Sequence, residues 1–235
     1  MVVIVDVLSF STAVDVAVGR GAAVIPFPYA DARDAEAAAR RHGAVSAVKR
    51  ADMTPETPFS LSPRSLAGLS SGAKLLLPSP NGSALTAIAA SAPQTRVVVA
   101  CFRNARAVAG YAARSARGGA IAVIAAGERW PDGSLRPAVE DDLGAGAVIE
   151  ALGDIDASPE AAVTASTFSL VGDRLSELLA RCVSGVELVT AGYRDDVDVA
   201  AAVNVSTAVP VLGHDGVIAN ATAADTALRY AAPES

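Results

Sequence analysis

The sequence predicts an α/β protein, a three-layer α/β/α arrangement around a largely parallel sheet, and three observations carry that reading. Short apolar runs alternate with Ala-rich helical segments from residue 2 to residue 126. The runs are almost continuously apolar, as strands covered on both faces should be. The 235 residues, 51% of them hydrophobic, leave ample chain for a large core, built from Ala, Val, Leu and Ile because aromatics reach only 4%.

Taken in order, the strands are expected at VVIVDV (2–7), AAVIPF (22–27), AVSAV (44–48), KLLLP (74–78), RVVVAC (96–101) and AIAVIAA (120–126). Helices are expected between them at 11–19, 31–42, 83–92 and 104–116. The Pro-, Ser- and Thr-rich stretch 50–65 reads as a long loop, as does GERWPDGSLRP (127–137), which precedes a helix beginning near Val139. Beyond residue 150 the pattern turns more helical, through 158–172, 173–182 and 194–204, before a short strand at VPVL (209–212) and the segment GVIANAT. The chain therefore divides into a main α/β lobe, 1–150, carrying most of the candidate site, and a C-terminal lobe, 151–235, completing the same unit.

Charge and composition narrow the function. A net charge of −6 and an isoelectric point near 4.9 argue against a nucleic-acid partner, whose phosphates require a basic face. Cys101 and Cys182 lack CxxC spacing, which fits a reducing cytosol and offers neither a disulfide framework nor a zinc site. Asp6 interrupts the first apolar run and no basic segment precedes it, which reads against a signal peptide. No uncharged run approaches the roughly 20 residues that span a bilayer. The expectation is a soluble, cytoplasmic protein with no membrane partner.

In open parallel sheets, ligands bind outside the carboxyl ends of the strands. Those positions carry Asp6, Ser9, Ser11 and Thr12; then Asn81, Gly82 and Ser83; then Arg103 and Asn104; then Gly127 with Glu140, Asp141 and Asp142. Asp6 stands out, because a carboxylate closing an apolar strand needs hydrogen bonds or a cation. Gly82 allows a ligand close to the backbone at a helix N-terminus, where phosphate is favourably placed, although Asn81 or Ser83 as a simple helix cap explains the same residues. Acids in a first helical turn likewise meet the macrodipole without any further role.

Several phosphate chemistries fail on spacing. Asp6 is not followed by the second Asp of a DxDx[TV] motif, Cys101 has no C-x5-R arginine, and GxxxxGK[ST] does not occur. Arg41-His42-Gly43 ends a helix, with Gly43 as an ordinary C-cap, and His214 has no Ser or Cys partner nearby in sequence. Acids, amides and hydroxyls remain, a set suited to Mg²⁺.

The ordered motifs DVLSFSTAV (6–14), LPSPNGSAL (77–85), ACFRNARAVA (100–109), AAG (125–127) with VEDDLGAGAVIEAL (139–152), and GYRDDVDVAAAVNVSTAVPVL (192–212) resemble the 2-phosphosulfolactate phosphatase family, from Val3 to about Ile218. The resemblance implies a Mg²⁺-dependent phosphatase that converts 2-phospho-3-sulfolactate to 3-sulfolactate, a step of coenzyme M biosynthesis, with a small anionic substrate; a homodimer is a further expectation that no motif carries. It carries over to Asp6, Ser11, Thr12, Asn81, Gly82, Ser83, Asn104, Gly127, Glu140, Asp141 and Asp196 or Asp198.

On that basis Asp6, Glu140 and Asp141 are expected to hold metal. Asn81, Gly82 and Ser83 would cradle phosphate, Arg103 would neutralise an anionic end, Asn104 would orient substrate or water, and Glu140 or Asp141 would accept the water's proton. Ser9 stands where members carry arginine, with Arg103, Arg64 and Arg129 as candidate replacements, and Ser79 and Pro80 replace two threonines. Those departures motivate an alternative, a non-catalytic relative that binds a phosphorylated or sulfonated acid.

Overall fold

The computed structural model describes residues 1–28, 31–116, 118–153 and 156–221. In chain order it contains β1 (Val2–Val5), α1 (Phe10–Gly19), β2 (Ala23–Pro28), α2 (Ala32–His42), β3 (Val45–Ser46), α3 (Pro63–Leu66), β4 (Lys74–Ser79), α4 (Gly82–Ser91), β5 (Val97–Ala100) and α5 (Ala105–Ala116). These are followed by β6 (Ala122–Ala125), β7 (Glu128–Arg129), β8 (Leu135–Arg136), α6 (Val139–Leu152), α7 (Pro159–Val171), α8 (Leu175–Arg181), α9 (Val183–Thr190), α10 (Arg194–Ala200), β9 (Pro210–Leu212) and β10 (Ile218–Asn220).

Eight strands form one mostly parallel sheet in the order β3-β4-β2-β10-β9-β5-β1-β6. β1 runs parallel between β5 and β6, with Val3 opposite Val98 and Val123. β4 runs parallel between β2 and β3. Between these two groups lie β9 and β10, joined to each other and to both neighbours by antiparallel pairings. Followed across those three pairings, the β2–β3–β4 group runs opposite to β1–β5–β6. A single rim shared by all the strand ends is thus replaced by two parallel groups bridged from the far end of the chain. Residues 151–221 supply strands at the middle of the sheet as well as helices; the rest of the expected C-terminal lobe, 222–235, lies outside the described residues.

The pleat explains the layers, since successive side chains leave a strand on opposite faces. Val3, Val5, Val98 and Ala100 join one core with Val108, Tyr111, Leu143 and Leu179 from α5, α6 and α8. Val99, Leu75 and Leu77 join a second with Phe10, Val14 and Val18 from α1, and Leu76 and Ile25 meet the alanines of α2 in a third. Helix α6 lies directly on β1: a Cβ at Gly144 would come within 2.6 Å of Val7 and 2.8 Å of Val5. That close approach fixes the start of α6, and its acids, against the end of β1. Of the expected loops, 50–65 holds a 3-10 turn and α3, and 127–137 folds as the β7–β8 hairpin.

Candidate active site

The turn after β1 gathers the site. Asp6 is 5% exposed, and both its oxygens accept backbone N–H groups, Oδ1 from Phe10 at 3.3 Å and Oδ2 from Gly82 at 2.8 Å. The second bond ties α4 to the turn and demands glycine. A Cβ at Gly82 would stand 2.2 Å from the Phe10 ring and 2.8 Å from Asp6 Oδ2. Asp141 closes the other side, with Oδ1 accepting from Val7 N at 2.7 Å and Oδ2 from Gly127 N at 2.9 Å. Asp6, the 81–83 turn and the Glu140–Asp141 pair are therefore neighbours, although 76 and 134 residues separate the bonded positions.

Glu128, at the start of β7, joins this group without being among the residues the sequence motifs point to. Its Oε2 accepts from Asn81 Nδ2 at 2.8 Å. The only sequence signal is an acid shortly past the end of β6, within a loop whose tryptophan and arginines draw more notice. Burial pushes Asp6 up to about 6, with the charges of Glu128 and Glu140 adding to the shift. Burial and the neighbouring Asp6 charge likewise hold Asp141 well above the usual carboxylate range. Glu128 is raised too, chiefly by burial, with Asn81 and Arg136 opposing. Glu140, 2% exposed, lies beside Cys182, whose thiol is raised to about 12 first by burial and then by the Glu140 charge.

Other predicted site residues turn into the fold. Ser11 Oγ accepts from Asp6 N at 2.9 Å, Thr12 Oγ1 donates to Val7 O at 2.8 Å, and Ser83 Oγ donates to Leu77 O at 3.0 Å. Asn104 accepts from Cys101 N at 2.9 Å and donates to Val99 O at 3.4 Å. These side chains spend their polar atoms within the fold for a simple reason: fully buried polar atoms must find partners, and the nearest are on their own turns. They shape the site's walls.

Arg103 is likewise drawn away, its Nε 2.8 Å from Asp15 Oδ2 and its Nη1 3.1 Å from Val199 O. Arg64 pairs with Asp195, and Arg129 donates to Gly133 O within its own hairpin. None of the three expected replacements reaches Ser9. Arg50 does, through its Nη2. Asp196 accepts from Arg50 and from Ser62, whereas Asp198 pairs with Arg194 on the surface of α10.

Among the described residues no three His, Cys, Asp or Glu side chains converge closely enough to hold a metal by themselves. The donor chemistry nonetheless suits a hard cation. Mg²⁺ commonly takes one or two carboxylates and completes its shell with water and substrate oxygens, and among the described residues no hydrogen bond joins the clustered acids to a cation, although the Arg136 charge acts on Glu128. No helix in the described residues is long and apolar enough to cross a membrane.

Acids, amides and a helix N-terminus gathered around one turn of an α/β sheet are the parts of an enzyme that works on an oxyanion ester. The chain belongs to the 2-phosphosulpholactate phosphatase family, whose model matches residues 1–215. With that membership it is a phosphoric monoester hydrolase. No curated protein matches it.

Proposed function

We propose that the protein hydrolyses the phosphate ester of a small sulfonated or carboxylated 2-hydroxy acid, as 2-phosphosulfolactate to sulfolactate and phosphate, with Mg²⁺ bound at the acidic cluster. The observation that carries the reading is the meeting of Asp6 with the Gly82 N–H and of Asp141 with the Val7 and Gly127 N–H groups. Together with Glu128 and Glu140 this concentrates anionic oxygen donors beside the start of α4. Asp6 or Glu128, with Glu140 on the same side, would hold Mg²⁺; when bound, the ion would polarise the phosphoryl group and offset charge on its oxygens.

The chain's own residues supply the remainder. The first N–H groups of α4 precede any helical acceptor, and the one at half-buried Ala84 is placed to meet an oxyanion. Asn81 and Glu128 hold each other and fix one wall. A carboxylate raised to about 6, as Asp6 is, ionises at neutral pH yet keeps useful basicity towards an attacking water. Asp141, whose oxygens take the Val7 and Gly127 N–H groups, is assigned as the clamp that keeps β1, Gly127 and α6 in register. The cytoplasm is the compartment this reading favours.

The test is phosphate release by purified protein with Mg²⁺ and with EDTA. Asp6→Asn is expected to lower release by about 10³-fold, within the range for a lost acid–base or electrostatic group. Full turnover by that variant in EDTA would remove the proposal and favour the alternative, a protein that only binds such acids.

A further inference from the structure

We infer that Arg50 is the residue that binds the second acid group of the substrate, the sulfonate or carboxylate remote from the phosphate; this rests on the reaction proposed above. Any such substrate carries anionic charge at both ends, and the cluster around Asp6 is itself acidic. A cation beside the cluster is needed to keep the second end from repulsion. Arg103, Arg64 and Arg129 bond partners away from the turn after β1. Arg136 lies over the Trp130 ring and 3.4 Å from Glu187.

Arg50 alone among these meets the turn after β1. Its Nη2 donates to Ser9 Oγ and, at 3.3 Å, to Leu61 O. Ser9 directly precedes Phe10, whose N–H bonds Asp6 and whose ring lies against Gly82. The guanidinium is held as a built element. Nε bonds Asp196 Oδ2 at 3.1 Å, the other oxygen of Asp196 takes Ser62 Oγ at 2.6 Å, and the Tyr193 ring lies 5.4 Å from the guanidinium carbon.

Asp196 is 2% exposed, whereas the Arg50 side chain keeps 17% exposure. Nη1 makes no hydrogen bond among the described residues. One edge of a rigidly oriented guanidinium is thereby left for a ligand oxyanion, the planar donor geometry that suits carboxylate and sulfonate oxygens. The long 50–65 loop acquires a purpose in this reading. It carries Arg50, Leu61 and Ser62 across to α10 and delivers a cation where the turn itself has serine.

Calorimetric titration with 3-sulfolactate, lactate and 2-hydroxyethanesulfonate tests this on the full chain with Mg²⁺. Arg50→Gln is expected to weaken sulfolactate binding at least about tenfold. It should raise KM for the phosphate ester similarly while kcat stays within about threefold, because the lost contact is remote from the phosphoryl group. Whichever of the two single-acid ligands also loses affinity identifies the group that Arg50 holds. Arg50→Lys, which keeps the charge without the fork, should fall between, and it decides the question if Arg50→Gln melts early.

Unchanged sulfolactate affinity in a folded Arg50 variant overturns the inference, as does a wild-type chain that binds none of the three. Sulfolactate binding that depends on Arg50 in a protein releasing no phosphate would sink the proposed reaction and leave the inference standing. Phosphate release with Arg50 variants altered only in kcat does the reverse.

Discussion

Two buried acid centres lie on either side of the helix α1 entrance, and they solve the same problem in opposite ways. Asp15, 1% exposed, has the Arg103 guanidinium 2.8 Å away. Burial still raises it, but Ser206 and Arg103 pull the other way. Asp6 faces Glu128 and Glu140 instead, and those charges add to the cost of burial. The first centre has its counter-ion built in and reads as structure. The second is held only by backbone N–H groups, an arrangement that stores a preference for protons or an added cation. Uncompensated charge, more than acidity as such, marks the candidate active centre.

The largest effect that would sharpen this contrast is expected at Asp15. Asp15→Asn leaves the Arg103 charge without its partner and should cost about 3 kcal/mol of stability. Urea unfolding would read this, while phosphate release per folded molecule stays within about twofold. A stable but inactive variant would break the contrast by moving Asp15 into the active centre.

Next is the pH dependence of the metal-free protein. Asp6 has a folded value of about 6 against an ordinary 3.8. Its proton therefore stabilises the folded state fully below the ordinary value, and that stabilisation is lost as pH rises through about 6. The span corresponds to roughly 3 kcal/mol at most, measured by urea midpoints from below about pH 4 to about pH 8. Mg²⁺ at about pH 8 should restore much of it; a midpoint indifferent to Mg²⁺ would count against a cation site here.

A smaller shift is expected from Glu128→Gln. Removing that charge should lower the Asp6 titration midpoint, visible by carboxyl NMR or as a displaced acid limb of the rate profile. An unmoved midpoint would separate Glu128 from the cluster. The smallest effect belongs to the thiols. Cys101 and Cys182, both raised to about 12 mainly by burial, should resist iodoacetamide at about pH 8 until denaturant is added, as mass spectrometry would show. Rapid native labelling of Cys182 would mean that the Glu140 side is open to solvent.

Much of the fold is legible in the sequence because it rests on local periodicity. The expected strand 74–78 and helix 83–92 correspond to Lys74–Ser79 and Gly82–Ser91, and the helix expected near Val139 begins there. The site is legible in part. Asp6, Gly82, Glu140 and Asp141 stand at strand ends and helix starts, and they do meet. Arg103 and Asn104 satisfy the same rule but turn to partners within the fold, since a strand-end position does not say which way a side chain points. Glu128 and Arg50 have no pattern to announce them.

By itself, the sequence determined the alternation of strands and helices, the acid closing β1 and the glycine that admits α4, because these depend on residues within a few positions of one another. Only the tertiary structure decided that β9 and β10 enter the middle of the sheet, that Glu128 faces Asp6, and that Arg50 rather than Arg103 reaches Ser9. Those outcomes depend on buried polar groups competing for distant partners: of the groups that hold Arg50, Ser9 and Asp196 lie 41 and 146 residues away along the chain. Packing distance settles such a competition, and no local pattern can display it.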